Sequence, residues 1–438
     1  MKFGARSAVA AAALMFASVS VPAGAQVPVE QVRARAAAMQ PKVVAWRRDI
    51  HANPELGNRE VRTSKLVADH LRRLGMEVRT GVAHTGVVGV LKGGRPGGVV
   101  ALRADMDALP VQEQTGLPFA SKATGEYQGQ TVPVAHACGH DSHVAMLMGA
   151  AEVLAGMKAQ IPGTVVFVFQ PAEEGPPPGE TGGARQMIAE GALQNPSPTA
   201  IFGIHVGPAA AGTIGYRPEG FMAASDRIDI SLKGKQTHGA WPWQGIDIVS
   251  LGAEIVSALN TVVARQVDLT ANPMVLTIAT VNAGLRYNII PEAMTMSGTL
   301  RTFDEKQRED VVARMQRLIG NLAENYGATA EVKVAQNGAL TFNDPALSAW
   351  LRPTLEQAAG TGAVNAAVKP TTVAEDFSYF QQKIPGVFYF LGAAKPGQEA
   401  TAAPNHSPQF DVHEPVMEVG VRAHVLTALN YLSRPKAE

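Results

Sequence analysis

Apolar positions at helical spacing mark residues 40–51 and 62–74, and short runs of a different kind follow. Residues 87–91, 99–103, 164–170 and 200–205 are β-branched or apolar and are bounded by Gly and Pro. Their alternation with helical segments predicts an α/β layered domain with a buried, mostly parallel sheet. From residue 221 to 335 the pattern changes. Residues 227–233 alternate as a strand, 246–265 are helical, and 275–281 and 293–301 read as strands. A long amphipathic helix at 305–326 and a strand at 330–334 complete the order β-α-β-β-α-β, that of a ferredoxin-like α+β unit. The α/β pattern then resumes with a helix at 345–357 and a strand at 387–391. The expected organisation is therefore a larger domain over 26–218 and 337–438, with a small domain inserted at 219–336.

The first 25 residues read as an address. Lys2 and Arg6 precede an apolar run at 8–19, and Ala23-Gly24-Ala25 has the small-x-small form of a cleavage site. Export to the periplasm or the medium is expected. After that run, no other apolar stretch reads as long enough for a membrane span, which takes about 20 residues. The 413 residues beyond Ala25 exceed what one core usually holds, so two domains are the natural division. Lys2 and Arg6 are two of 38 basic residues, against 38 acidic ones, which leaves the remainder at a net charge of −2. No long cationic run offers a footprint for a phosphate backbone, which argues against nucleic acid as a partner. The single cysteine, Cys138, cannot form an internal disulfide. It is inert core, an intermolecular bridge or a ligand.

The densest chemistry lies in His136-Ala137-Cys138-Gly139-His140-Asp141-Ser142-His143. Gly139 permits a tight turn, so Cys138 and His140 can point into one space. Thiolate and imidazole suit zinc and similar ions. Gln170-Pro171-Ala172-Glu173-Glu174-Gly175 leaves the 164–170 strand at its carboxyl end, where open α/β sheets bind ligands. Adjacent carboxylates point in different directions there, so one can hold a metal while the other faces a bound water. His205 ends the 200–205 strand, and His406 lies in the turn-rich Pro404-Asn405-His406-Ser407-Pro408 after the 387–391 strand. A lone histidine is more often packed or solvated than metal-bound. Four separate segments ending in ligand-type residues are much harder to credit to chance.

With His51-Ala52-Asn53-Pro54-Glu55-Leu56 and Arg103-Ala104-Asp105-Met106-Asp107-Ala108-Leu109-Pro110, these motifs occur in an order that resembles the M20 family of metallopeptidases and amidohydrolases. The likeness is to the branch of N-acyl-amino-acid, hippurate and auxin-conjugate hydrolases. It implies two divalent metal ions, zinc before manganese, cobalt or nickel, held by Cys138, His140, Glu174, His205 and His406, with Cys138 bridging. It further implies Glu173 as the general base, Asp105 and Asp107 as supports behind the ligands, and an inserted domain that serves as lid and dimerisation unit. In Gly234-Lys235-Gln236-Thr237-His238-Gly239-Ala240-Trp241-Pro242, His238 would stabilise an oxyanion, commonly in the other subunit of a homodimer or larger assembly. Asn288 and Arg301 would grip a substrate carboxylate.

The implied activity is cleavage of the amide bond of N-acyl amino acids or short peptides carrying a free carboxylate. A dipeptidase or carboxypeptidase of the same family is the nearest alternative, and an exported solute-binding protein without catalysis is the rival from another class. The chain departs from the family pattern at two places near the expected substrate mouth. Trp243 stands where the lid commonly has a histidine, and Pro176-Pro177-Pro178-Gly179-Glu180 follows Gly175.

Overall fold

The computed structural model describes residues 28–434, so the proposed address at 1–25 lies outside the described residues. An eight-stranded sheet forms the larger layer. Its order is Glu77–Val82, Gly86–Lys92, Pro162–Gln170, Arg95–Asp105, Ile201–Gly207, Gly386–Gly392, Ile214–Gly215 and Val364–Asn365. The four central strands, Pro162–Gln170 to Gly386–Gly392, run parallel. The sheet as a whole is mixed, because antiparallel pairs flank this centre on both sides. The expected mostly parallel sheet is thus confined to the middle. The reason is connection length: Glu77–Val82 and Gly86–Lys92 are joined by a tight turn, which can only give an antiparallel pair, whereas parallel neighbours need a crossover.

The helices Val29–Ala52, His140–Ala155, Pro345–Ala359 and Met417–Leu432 supply much of the large apolar core shared with one face of the sheet. Gly183–Ala189 and Phe377–Gln381 contribute to a smaller core on the other face. Because the central strands share a direction, Asp105, Gln170 and Gly207 end at one edge, and the segments carrying Glu173, Glu174 and His406 emerge there.

The inserted unit has its own sheet, in the order Met274–Ala283, Ala293–Thr302, Ala224–Lys233 and Thr329–Gly338, antiparallel throughout. Numbered along the chain this is 2-3-1-4, the ferredoxin-like arrangement. Ile248–Gln266 and Glu305–Asn325 cover one face and enclose a separate core around Ile228, Ile255, Leu300 and Met315. Both helices begin on an aspartate. Asp247 accepts from the N–H groups of Val249 and Ser250, and Asp304 from that of Gln307, satisfying amide donors that a helix start leaves free. One sequence expectation needs correction here. Ile248–Gln266, 19 residues of mean hydropathy 1.4, is long and apolar enough to cross a membrane. It packs on the inserted sheet instead, burying Ile248, Leu251, Ile255, Leu259 and Val262 along one side.

Candidate metal centre

The edge of the central strands gathers ligand-type residues from four parts of the chain. Gly139 makes the first turn possible: its φ of +98° lies in the left-handed region, and a Cβ there would fall 2.3 Å from Val206 Cγ2. Cys138 and His140 on either side of it are both buried and face the same space. Cys138 Sγ lies 3.4 Å from His205 Nε2. Glu174 and His406 close the other side, where Glu174 Oε1 and His406 Nε2 stand 2.9 Å apart.

Ligand-type atoms of Cys138, His140 and His205 lie within 4.8 Å of one another, as do those of Cys138, Glu174 and His406. The two triads share the sulfur. The structure therefore brings together all five residues for which the sequence suggested a ligand role, and it places Glu173 beside them, with Oε2 4.0 Å from His140 Nε2.

The donor atoms fit metal ions. His140 Nδ1 donates to the Asp107 carbonyl at 2.8 Å, and His205 Nδ1 to the Val206 carbonyl at 2.7 Å. Each bond fixes the tautomer that leaves Nε2 as a lone pair facing the cluster, the usual arrangement of a metal-bound histidine. His140 Nε2 and Glu174 Oε1 are both buried without a hydrogen-bond partner. The short His406–Glu174 contact is off hydrogen-bonding geometry, as expected of two ligands facing a common ion rather than each other. Orphaned buried polar atoms are costly, so their convergence is a specific sign. Burial, then the Glu174 carboxylate, pushes the Cys138 thiol well above its ordinary value. A dication beside it reverses that order and favours the thiolate.

The supports explain how local sequence holds this geometry. Glu60 is buried. It accepts from the Ala172 N–H at 2.9 Å and from Thr85 Oγ1 at 2.5 Å, fastening the turn in which Ala172 takes a φ of +49°. Burial and the Asp107 carboxylate push Glu60 up to about 8. Asp107 Oδ2 accepts from the Glu174 N–H at 3.0 Å. His406 has a φ of +70°, a conformation rarely held outside glycine, and its N–H donates to the Ala137 carbonyl at 2.7 Å. Asn405 Nδ2 ties the same loop to the carbonyls of Cys138 and Val206. Asp105 binds His143 Nδ1 at 2.5 Å, and His143 Nε2 accepts from the Val206 N–H at 2.9 Å. Both nitrogens of His143 are thereby occupied in orienting the shell.

Sequence reasoning passed over an acidic group behind Glu173. The buried Arg103 guanidinium donates to Asp105, Glu375 and Asp376 at 2.6, 2.8 and 3.1 Å, and its Nε to Gln170 at 2.8 Å. The Asp376 N–H reaches Glu173 Oε1 at 3.4 Å. Burial first, then the carboxylates of Glu375, Glu174 and Asp376, pushes Glu173 well above the ordinary carboxylate range. The signal was available: Glu375-Asp376 is an adjacent acid pair like Glu173-Glu174, set between apolar segments.

The three inserted-domain residues are placed differently. Arg301 lies directly opposite Ser225 in the inserted sheet, so the two share a face, and Ser225 lines the cleft that holds Glu173. Arg301 Nη1 is buried without a partner. His238 and Asn288 sit at the far end of that sheet, where Thr237–His238 pairs with Ile289–Ile290 and the Asn288 carbonyl accepts from Gly239. From Ala293 to Arg301 the strand covers roughly 27 Å at about 3.4 Å per residue. His238 is exposed, with its ring 5.3 Å from Trp241 and its Nδ1 accepting from the Ala240 N–H at 3.0 Å. Among the described residues, these contacts keep it within its own loop. Within one chain, His238 and Asn288 do not join the cluster.

A thiol, three imidazoles and a carboxylate around a shared space, with a second carboxylate beside it, define a metal-dependent hydrolase. The chain belongs to peptidase family M20/M25/M40, which matches residues 101–430. It is 39% identical to thermostable carboxypeptidase 2 of Saccharolobus solfataricus, over 93% of this chain and 99% of that one. It is 38% identical to the N-acetylcysteine deacetylase of Bacillus subtilis, over 87% and 94% of the two chains. The crystal structure of the Bacillus subtilis YXEP protein, a dinuclear metal-binding peptidase of the M20 family, has 34% identity and a TM-score of 0.76, covering 90% of this chain and 99% of that one. The protein is thus a metal-dependent hydrolase of amide bonds, and the non-catalytic solute-binding reading falls away.

Proposed function

We propose that the enzyme releases an amino acid from N-acyl amino acids or short peptides that end in a free carboxylate, using two divalent ions held by Cys138, His140, Glu174, His205 and His406. The observation that carries this reading is the placement of Glu173 and Ser225 in one cleft of ≈ 500 Å³, with Arg301 beside Ser225. The cleft itself offers the base, and the strand beside Ser225 carries a cation for a carboxylate. The ions, when bound, polarise the scissile carbonyl and acidify the attacking water. Glu173, raised in basicity by burial and its acidic neighbours, takes a proton from water and returns it to the leaving amine. The Arg301 guanidinium, whose Nη1 has no internal partner, binds the substrate carboxylate and sets the position of the amide. Asn288 adds a polar contact to the same carboxylate, and His238 donates to the developing oxyanion.

Because His238 and Asn288 lie at the distal end of the inserted sheet, we assign them to the site of a second copy, in a homodimer or larger assembly. The exposure of Trp243, Leu285 and Tyr287 at 76%, 107% and 95% supports a partner surface there. Light scattering that gives a monomer retaining full activity at high dilution would remove this role. The thiolate and imidazole set favours zinc over manganese, cobalt or nickel. Lys2, Arg6 and the Ala23-Gly24-Ala25 site support export, which amino-terminal sequencing of the mature protein tests.

The carboxypeptidase relative supports a second reading, in which free peptides are the main substrates. A panel of N-acyl amino acids and dipeptides, assayed with metal-loaded enzyme, separates the two. Turnover of dipeptides alone would refute the N-acyl reading, and turnover undiminished by chelation to zero metal would refute both.

A further inference from the structure

Glu174 faces two cavities. On one side lies the cleft of ≈ 500 Å³ shared with Glu173 and Ser225. On the other is a slot of ≈ 50 Å³ that reaches Asp107 at its inner end. Leu56, Leu109, Pro110, Tyr127 and Pro177 give the slot an apolar majority, and its charged lining residues Arg59 and Glu126 are engaged by Glu180 and Thr131. An N-acyl amino acid runs from acyl chain to carbonyl to amide nitrogen to carboxylate. With its carboxylate toward Arg301 and its carbonyl over the ligand cluster, the acyl chain must continue past Glu174, away from the cleft. We propose that this slot receives the acyl group and restricts it to compact, apolar chains of a few carbon atoms. This rests on the substrate reading above and sharpens it.

The size follows from the volume. A water-sized group occupies about 10–15 Å³ of such space, so the slot accepts roughly three to five heavy atoms. Its walls are also stiff. Three prolines, Pro176 to Pro178, fix φ along one wall. Glu180 anchors that loop: Oε1 accepts from Arg59 Nη2 at 2.5 Å, and Oε2 from Asn58 Nδ2 at 3.0 Å and Arg59 Nη1 at 3.1 Å.

The opposite wall is the hairpin of Thr124–Tyr127 and Gln130–Pro133. Gly125 seats it against the small core of Leu56, Ala108 and Val134, where a Cβ would lie 3.1 Å from Leu56 Cδ1 and 3.2 Å from Val134 Cγ2. Tyr127 at the hairpin tip is 38% exposed, so its ring closes the mouth of the slot without being part of a core. The proline loop and the hairpin meet across the slot, and neither carries a residue of the proposed metal centre.

The test is kcat/KM of the metal-loaded enzyme on N-acetyl-, N-butanoyl-, N-benzoyl- and N-octanoyl-L-methionine. The native enzyme should favour the acetyl and butanoyl substrates by at least about 10-fold, since misfit in an apolar pocket is worth roughly 10- to 200-fold. Tyr127→Ala opens the mouth and should raise the benzoyl and octanoyl values about 10-fold, while Tyr127→Phe keeps the native order. Arg59→Ala, which removes a lining side chain and releases Glu180 of the proline loop, should shift the order in the same direction. An acyl order unchanged in both Tyr127→Ala and Arg59→Ala, or a native preference for octanoyl, overturns the slot assignment alone. Hydrolysis of free dipeptides with none of the acyl series overturns the substrate reading, and the slot with it, because an N-terminal ammonium is not an apolar acyl chain.

Discussion

The frame behind the ligand cluster at the carboxyl edge of the large sheet and the open face of the inserted sheet treat polar groups in opposite ways. At the edge, Arg103, Asp105, Asp141 and His143 are buried, and each has its partners within the chain. Arg47 binds Asp141, Asp411 and Glu414, and Asp141 also holds His51. In the inserted unit, Arg301 and Asn288 each keep a buried polar atom without a partner, and His238 is exposed. Charges desolvated and paired within one chain build a rigid frame. Polar groups left unpaired are available to substrate or to another subunit. In the function proposed above, the first region makes the chemistry, and the second recognises what is to be cleaved.

Four experiments can break or sharpen this contrast. The largest effect belongs to the edge. Glu173→Gln should lower kcat by about 10²–10⁴, the worth of a general base, at unchanged metal content. Glu174→Gln should instead lower metal occupancy, with activity partly recovered in excess metal, as elemental analysis alongside kinetics would show. Identical metal behaviour in the two variants would erase the division between base and ligand.

Next comes the distal lid. His238→Ala should cost about 10²–10³ in kcat, as loss of an oxyanion donor does. Mixing it with inactive Glu173→Gln should restore activity, because one mixed site is then complete. Mixtures no more active than the sum of their parts would place His238 in its own chain's site.

Arg301→Ala should act mainly on KM. A charge-assisted hydrogen bond of about 1.5–3 kcal/mol corresponds to roughly 10- to 100-fold in kcat/KM. Amidated substrates lacking the carboxylate should show little difference between the variant and the native enzyme. An equal loss on amidated substrates would make Arg301 a structural residue.

The last expected effect is on stability, not on turnover. Burial opposes charging of His51, but Asp141 and Glu113 outweigh it and raise the imidazole from 6.5 to about 9. A group raised on folding contributes stability that is complete below the unfolded value near 6.5 and is lost as pH climbs toward 9. At about 1.4 kcal/mol per unit, the ceiling is about 3 kcal/mol. Urea unfolding should show His51→Gln losing most of this pH dependence, and a native-like slope in the variant would assign it elsewhere.

Much of this organisation was readable from pattern alone. The inserted unit was legible because its strands alternate and its helices are amphipathic, each having one wet face. His140–Ala155 and Met417–Leu432 were passed over for the opposite reason. They are buried nearly all round, and a helix without a polar side has no 3.6-residue period to detect. The carboxylates of Glu375 and Asp376 were missed because their meaning depends on Arg103, 272 and 273 residues away in the chain.

What the sequence determined by itself is the set of local decisions: which segments are strands, where Gly139 allows a turn, and which ligand-type residues leave strand ends. Such decisions depend on neighbours within a few residues, through backbone sterics and the period of apolar positions. Tertiary structure alone decided that Cys138 is shared by two triads, that one guanidinium serves three carboxylates, that His238 lies in a separate ladder beyond the far end of the sheet carrying Arg301, and that a narrow slot backs Glu174. These are distances between side chains remote in sequence. They are set only when burial of the shared cores fixes how the layers pack.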